Sequence, residues 1–128
     1  MKANISYSEL QFMLKKLSGQ NLSVSYVSQC KAHLAYGLIK LDVTIENVSN
    51  TSVLLSYSGG FLVEKAVGPI LNTFKDKIGA MLEVLPNQQI RLALDKNPQI
   101  APVLEQVVLQ DIYFDPSNII LEVAPKGY

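Results

Sequence analysis

The sequence predicts an α+β fold: a curved antiparallel sheet wrapped around one long apolar helix, with two shorter helices. Three observations carry this. Ile39, Leu41, Val43 and Ile45 alternate with Lys40, Asp42, Thr44 and Glu46, the period-2 pattern of an antiparallel strand with one wet face. From Phe61 to about Ile78 the spacing turns helical, with Val63, Val67, Ile70, Leu71, Phe74 and Ile78 recurring on one stripe. The element order is α, about three strands, a long α, two strands, a short α, two strands, which reads as α+β with a meandering antiparallel sheet.

The first helix is expected over "ISYSELQFMLKKLSG". Ser6 and Glu9 have capping-box spacing, and Ile5 and Leu10 are placed for a hydrophobic staple. Leu10, Met13, Leu14 and Leu17 form its apolar face, Lys15 and Lys16 sit near the negative end of the helix, and Ser18-Gly19 stops it. "NLSVSYVS" reads as a half-buried strand. "VSQCKAHLAYG" reads as a connection to the regular strand 39–46, and "SVLLSYS" returns after the polar turn 47–52. Gly59-Gly60 ends this run and launches the long helix, which Gly79 closes. A hairpin follows through "AMLEVL", "PNQQ" and "IRLALD". Asn97-Pro98 or Pro102 starts a short third helix whose apolar face would be Ile100, Val103, Leu104, Val107 and Val108. "DIYF", "DPSN" and "IILEVAP" close the chain as another hairpin.

Composition narrows the function. The 128 residues fit one domain, 1–128, large enough to bury a core without disulfides or metal. Eleven basic residues balance eleven acidic ones, and no run interleaves aromatics with Lys or Arg, so nucleic acid is not an expected partner. Hydrophobic residues reach 48% against 17% charged, yet no apolar run is long enough to be a transmembrane segment. Such a composition implies either a generous core or apolar surface that awaits a ligand or partner. The lone Cys30 excludes an intrachain disulfide, and the start Met1-Lys2-Ala3 shows no signal peptide; both favour a cytoplasmic location over the alternative of a secreted, disulfide-free protein.

Each chemical motif tested falls short. Ser58-Gly59-Gly60 is too short for a phosphate loop and lacks the following Lys-Ser/Thr. His33 is the single histidine. With Cys30 it is expected in a strand-to-strand connection, as a polar loop histidine beside a buried thiol, so no catalytic residue is assigned. One Cys and one His do not make a zinc site, and Asp111 and Asp115 lack the calcium-loop pattern; no metal and no cofactor are expected. Asp42 and Glu46 are expected to keep the wet face soluble.

The remaining signal is apolar. The long helix is apolar over more than half its circumference, with Gly68-Pro69 at its middle; Pro69 should kink it, and Gly68 allows close approach. Candidate lining of a groove between helix and sheet is Val63, Val67, Gly68, Ile70, Leu71 and Phe74 on the helix, and Leu41, Val43 and Ile45 on the strand.

The order of elements, with "YSELQFMLKK", "IKLDVTIENV", "GGFLVEKAVGPIL" and "IYFDPSNIILEV", resembles small bacterial tubular lipid-binding proteins of the bactericidal/permeability-increasing-protein type. The resemblance covers most of the chain and implies non-enzymatic binding of a lipid or other elongated apolar ligand. Single modules of that family run longer, which implies a homodimer for a complete tube. A competing class is a hotdog-fold acyl-thioester hydrolase, which wraps a sheet around one helix and for which Glu64 is the best-placed acid. A third is a protein–protein interaction subunit whose apolar face meets a partner.

Overall fold

The computed structural model describes residues 1–59, 61–98 and 100–126, with side chains described outside 17–18 and 61–67. The elements, in chain order, are β1 (Lys2–Ser6), α1 (Tyr7–Ser18), β2 (Ser23–Ser28), β3 (Lys31–Tyr36), β4 (Ile39–Val48), β5 (Ser52–Gly59), α2 (Phe61–Ile78), β6 (Leu82–Leu85), β7 (Gln89–Ala93), α3 (Ala101–Leu104), β8 (Val107–Phe114) and β9 (Asn118–Pro125). The α+β class, the antiparallel pairing and the three helices follow the sequence. The single wrapped sheet does not: the strands divide into a six-stranded sheet, ordered β2-β3-β4-β5-β7-β6, and a three-stranded sheet, ordered β1-β9-β8. Nor does the larger sheet encircle α2. The helix lies across one face, against β4, β5 and β6, with α1 beside it.

Local chemistry explains most elements. Ser6 caps α1: its Oγ accepts from the Glu9 N–H at 3.2 Å, and the Glu9 carboxylate accepts from the Ser6 N–H at 3.3 Å. Gly19 ends the helix in the left-handed region (φ 73°), its N–H reaching Lys15 O at 2.8 Å. The β8–β9 turn is fixed by Asp115, whose Oδ1 accepts from the N–H of Ser117 at 2.7 Å and of Asn118 at 2.6 Å. The third helix is shorter than its apolar spacing implied. It ends at Leu104, and Val107 and Val108 begin β8.

Two strands escaped the sequence pattern. In β3, alanines at 32 and 35 blur the alternation, and the strand is defined by pairing on both sides, with β2 and β4. In β1, five residues run straight into the helix cap. The strand forms because β9 supplies its ladder from the other end of the chain: Asn4 lies opposite Ile120, and Val123 N donates to Met1 O at 2.9 Å.

The core joins the two sheets. Val24, Ala32 and Phe114 are buried together, with Tyr7, Leu10 and Leu14 of α1, Leu34, Ile45 and Ile119 packed around them. Phe114 comes from β8 of the smaller sheet, while Val24 and Ala32 come from the larger one. Met13, expected on the inner face of α1, is exposed; Tyr7 takes the inward place. Tyr7 also donates its hydroxyl to Asp115 O at 2.6 Å, which ties the start of α1 to the β8–β9 turn. Burial, first, and the nearby Asp115 raise the Tyr7 pKa above its ordinary 10.0.

The outer edge of β8 is closed. Leu109 N donates to Asn50 O at 3.1 Å, Phe114 N to Gln29 O at 2.7 Å, and between them Ile112 N is taken by the neighbouring Asp111 carboxylate at 2.8 Å. This edge therefore offers few free donors to a further strand.

Candidate functional site

Register decides the two faces of the six-stranded sheet. Directly opposed residues share a face. Leu34 lies opposite Leu41, Ala32 opposite Val43, Val43 opposite Tyr57, and Ile45 opposite Leu55. Leu55 in turn faces Ile90, and Val53 and Leu82 both face Leu92. One apolar face thus runs unbroken from β2 to β6, and α1 and α2 rest on it. The strand candidates Leu41, Val43 and Ile45 stand at its centre, each half-buried.

On α2, Ile70, Leu71 and Phe74 are half-buried, while Asn72 and Lys75 to Lys77 face water. Helical spacing puts the first three, with Ile78, on one stripe. Val63 and Val67 belong to the same helix, and their side chains lie outside the described set. Gly68 differs from expectation. It is exposed, and a Cβ built on it meets nothing within 4 Å, so no other backbone presses on it there. Pro69 sits inside an otherwise continuous helix, and the Thr73 hydroxyl donates to its carbonyl at 3.1 Å. Of the Gly-Gly corner, Gly59 is the last residue of β5, opposite Leu41, and Gly60 lies outside the described residues.

The opposite face is polar. Ser25, His33, Asp42 and Ser58 form one row across four strands. His33 Nδ1 and Asp42 Oδ1 are 2.9 Å apart, both groups more than a third exposed. Ser56 donates to Glu46 at 2.6 Å, and Arg91 pairs with Glu83 at 3.6 Å. His33 is therefore a strand residue and not a loop histidine; its partner was hidden because β3 was not recognised as a strand. Cys30, expected as a buried thiol, is exposed in the β2–β3 turn. Ser25 has the place of a nucleophile beside the His33–Asp42 pair, but among the described residues no hydrogen bond joins it to His33. The row supplies a hydrogen-bonded His33–Asp42 pair on a wet surface, without the nucleophile–base contact that acyl transfer requires.

Two clefts open on the surface. One, of about 500 Å³, lies between the Gln29-Cys30 turn, the end of β4 and residues 110–113 of β8. The other, of about 440 Å³, lies over the polar face near Asn47, Glu83 and Arg91. Ile45 reaches the first; among the described candidates, Leu41, Val43, Gly68, Ile70, Leu71 and Phe74 line neither. Among the described residues no group of three or more His, Cys, Asp or Glu is placed to hold a metal ion, and no helix is long and apolar enough to cross a membrane.

The total accessible surface bears on the apolar face. It is 7822 Å² for a 14.1 kDa chain, where a folded monomer of that mass exposes ~6,700 Å². The excess is roughly 1,100 Å². No known protein family, characterised protein or solved structure matches the chain.

Proposed function

We propose that this chain is a non-enzymatic binding domain that lodges an elongated apolar ligand, such as an acyl chain, between α2 and the apolar face of the six-stranded sheet. One observation carries the reading: a continuous apolar face centred on Leu41, Val43 and Ile45 is overlaid by the Ile70, Leu71 and Phe74 stripe, yet these six side chains are all only half-buried. Apolar area left at the water boundary gains roughly 25 cal/mol per Å² when a ligand covers it. In this reading α2 and the sheet form the two walls of an open groove, and a second copy completes the enclosure, as the resemblance to tubular lipid-binding proteins implies.

The test begins with native mass spectrometry and lipid extraction of the purified protein. Titration of the stripped protein with a fluorescent fatty acid follows. Copurifying lipid, or saturable binding that Leu71→Gln weakens and Lys75→Gln does not, supports the reading. A protein that carries no lipid and binds none of a panel of fatty acids and phospholipids overturns it.

A further inference from the structure

The β3–β4 hairpin ends in an unusual tip. Gly37, with φ 59°, takes the first central position of a two-residue turn, as a type II′ turn requires. The second central residue is Leu38, which is 93% exposed. A hairpin turn is ordinarily filled by Gly, Asn, Asp or Ser; here a large aliphatic side chain stands almost wholly in water.

The described charged side chains nearest the tip share one sign. β2 begins at Ser23, opposite Ala35, and β5 ends at Gly59, opposite Leu41, so both reach this same end of the sheet. Four residues link the end of α1 to Ser23, which brings the last turn of α1 to this end as well. Lys15 and Lys16 occupy that last turn, and Lys40 stands opposite Ala35 on the other face of the sheet. All three are exposed. The segments 15–23, 34–41 and 57–59 contain these lysines and no Asp or Glu. Asp42, the next acid along β4, is engaged by His33. At the far end of the sheet, Glu46 and Asp111 line the cleft beside β8.

We propose that this end of the molecule docks on an anionic lipid surface, with Leu38 as the side chain that enters the headgroup–acyl boundary and Lys15, Lys16 and Lys40 meeting the phosphates on both sides of it. An exposed aliphatic tip gains from insertion, and each nearby lysine adds attraction to an anionic leaflet. Because α2 also starts at this end, just after β5, docking would present the mouth of the apolar groove to the membrane. That second part rests on the lipid-binding reading; the docking itself does not.

The chain holds no Trp, so Leu38→Trp gives a single reporter at the tip. The expected result is flotation with phosphatidylcholine vesicles containing phosphatidylglycerol and little with phosphatidylcholine alone. The Leu38→Trp emission should shift to the blue only on the anionic vesicles, and added salt should release the protein. Leu38→Asp should weaken binding about tenfold or more, and Lys40→Gln about fivefold. Neither should change the thermal melt, since both side chains are exposed. Absence of binding to anionic vesicles, or binding that Leu38→Asp leaves intact, overturns the proposal. Fatty-acid uptake from solution without vesicle docking refutes this inference alone. Docking without any ligand uptake refutes the groove reading alone.

Discussion

Phe114→Ala tests the way the two sheets are held together. Phe114 is 6% exposed and sits with Val24 and Ala32, so its ring is the main apolar bridge from the three-stranded sheet to the six-stranded one. Removing a buried phenyl ring costs about 3–5 kcal/mol, through lost transfer energy and the cavity left behind. The Phe114 N–H to Gln29 O bond is main-chain and survives the substitution, so the loss is one of packing. Against a total stability of roughly 5–15 kcal/mol, this is a fifth or more. With an unfolding entropy of roughly 0.27 kcal/mol/K for a chain of this length, the melting temperature should fall by about 10–20 °C. Urea titration followed by far-UV and near-UV circular dichroism gives the free energy. The m-value should stay close to wild type if the whole molecule unfolds as one unit. Phe12→Ala is the control: Phe12 is 60% exposed on the outer side of α1, with Lys16 4.7 Å from its ring centre, and should cost about 0.5 kcal/mol. A Phe114→Ala cost below about 1 kcal/mol would refute the shared core and mean that the smaller sheet is held by its hydrogen bonds alone.

Four further outcomes follow from the same geometry. The raised Tyr7 pKa means that the folded state favours the neutral phenol; its stabilisation is complete below pH 10 and is lost as pH rises through the raised value. Urea midpoints at pH 8 and above pH 10 should diverge in wild type and converge in Tyr7→Phe, which itself costs about 1 kcal/mol at pH 8 by losing the bond to Asp115 O. Val43→Asp should cost about 3 kcal/mol or more by placing a carboxylate on the apolar face, whereas Thr44→Asp, one residue on and on the wet face opposite Lys31, should stay within about 1 kcal/mol; equal costs would contradict the assigned faces. Cys30, exposed in its turn, should react fully with Ellman's reagent without denaturant. Gly19→Ala should lower stability by about 1 kcal/mol, because φ 73° strains any residue with a Cβ.

How much of this was legible in the sequence depended on whether the signal was local. The α1 cap, the Gly19 stop, the alternation of β4 and the Asp115 turn rest on residues a few positions apart, and each stood as read. The apolar assignment of Leu41, Val43 and Ile45 held for the same reason: period 2 fixes which residues share a face. What was missed depended on distant partners. β1 has too few residues to announce itself and exists because β9 lies beside it. β3 carries alanines that look neutral until Val24 and Phe114 pack on Ala32. The split into two sheets has no local signature, since β8 and β9 alternate like any other strands and only their partner, β1, sets them apart. The His33–Asp42 pair belongs to the same category: its two residues are nine apart in the chain and become neighbours through a register invisible without β3. Gly68 was legible only in part. A glycine beside a proline allows close approach by a backbone or a ligand, and in the fold a Cβ built there meets nothing within 4 Å.

The pairing of β1 with β9 sets a schedule for the chain as it is made. Met1 and Val123 are 122 positions apart, and at ribosomal rates of 5–20 residues per second roughly 6–25 s separate their synthesis. Through that interval β1 has no ladder partner, and Phe114, emerging just before β9, has not yet covered Val24 and Ala32. The six-stranded sheet can assemble during this time, but it does so with an open apolar side. That interval, and not the finished fold, is when the nascent protein most needs a chaperone.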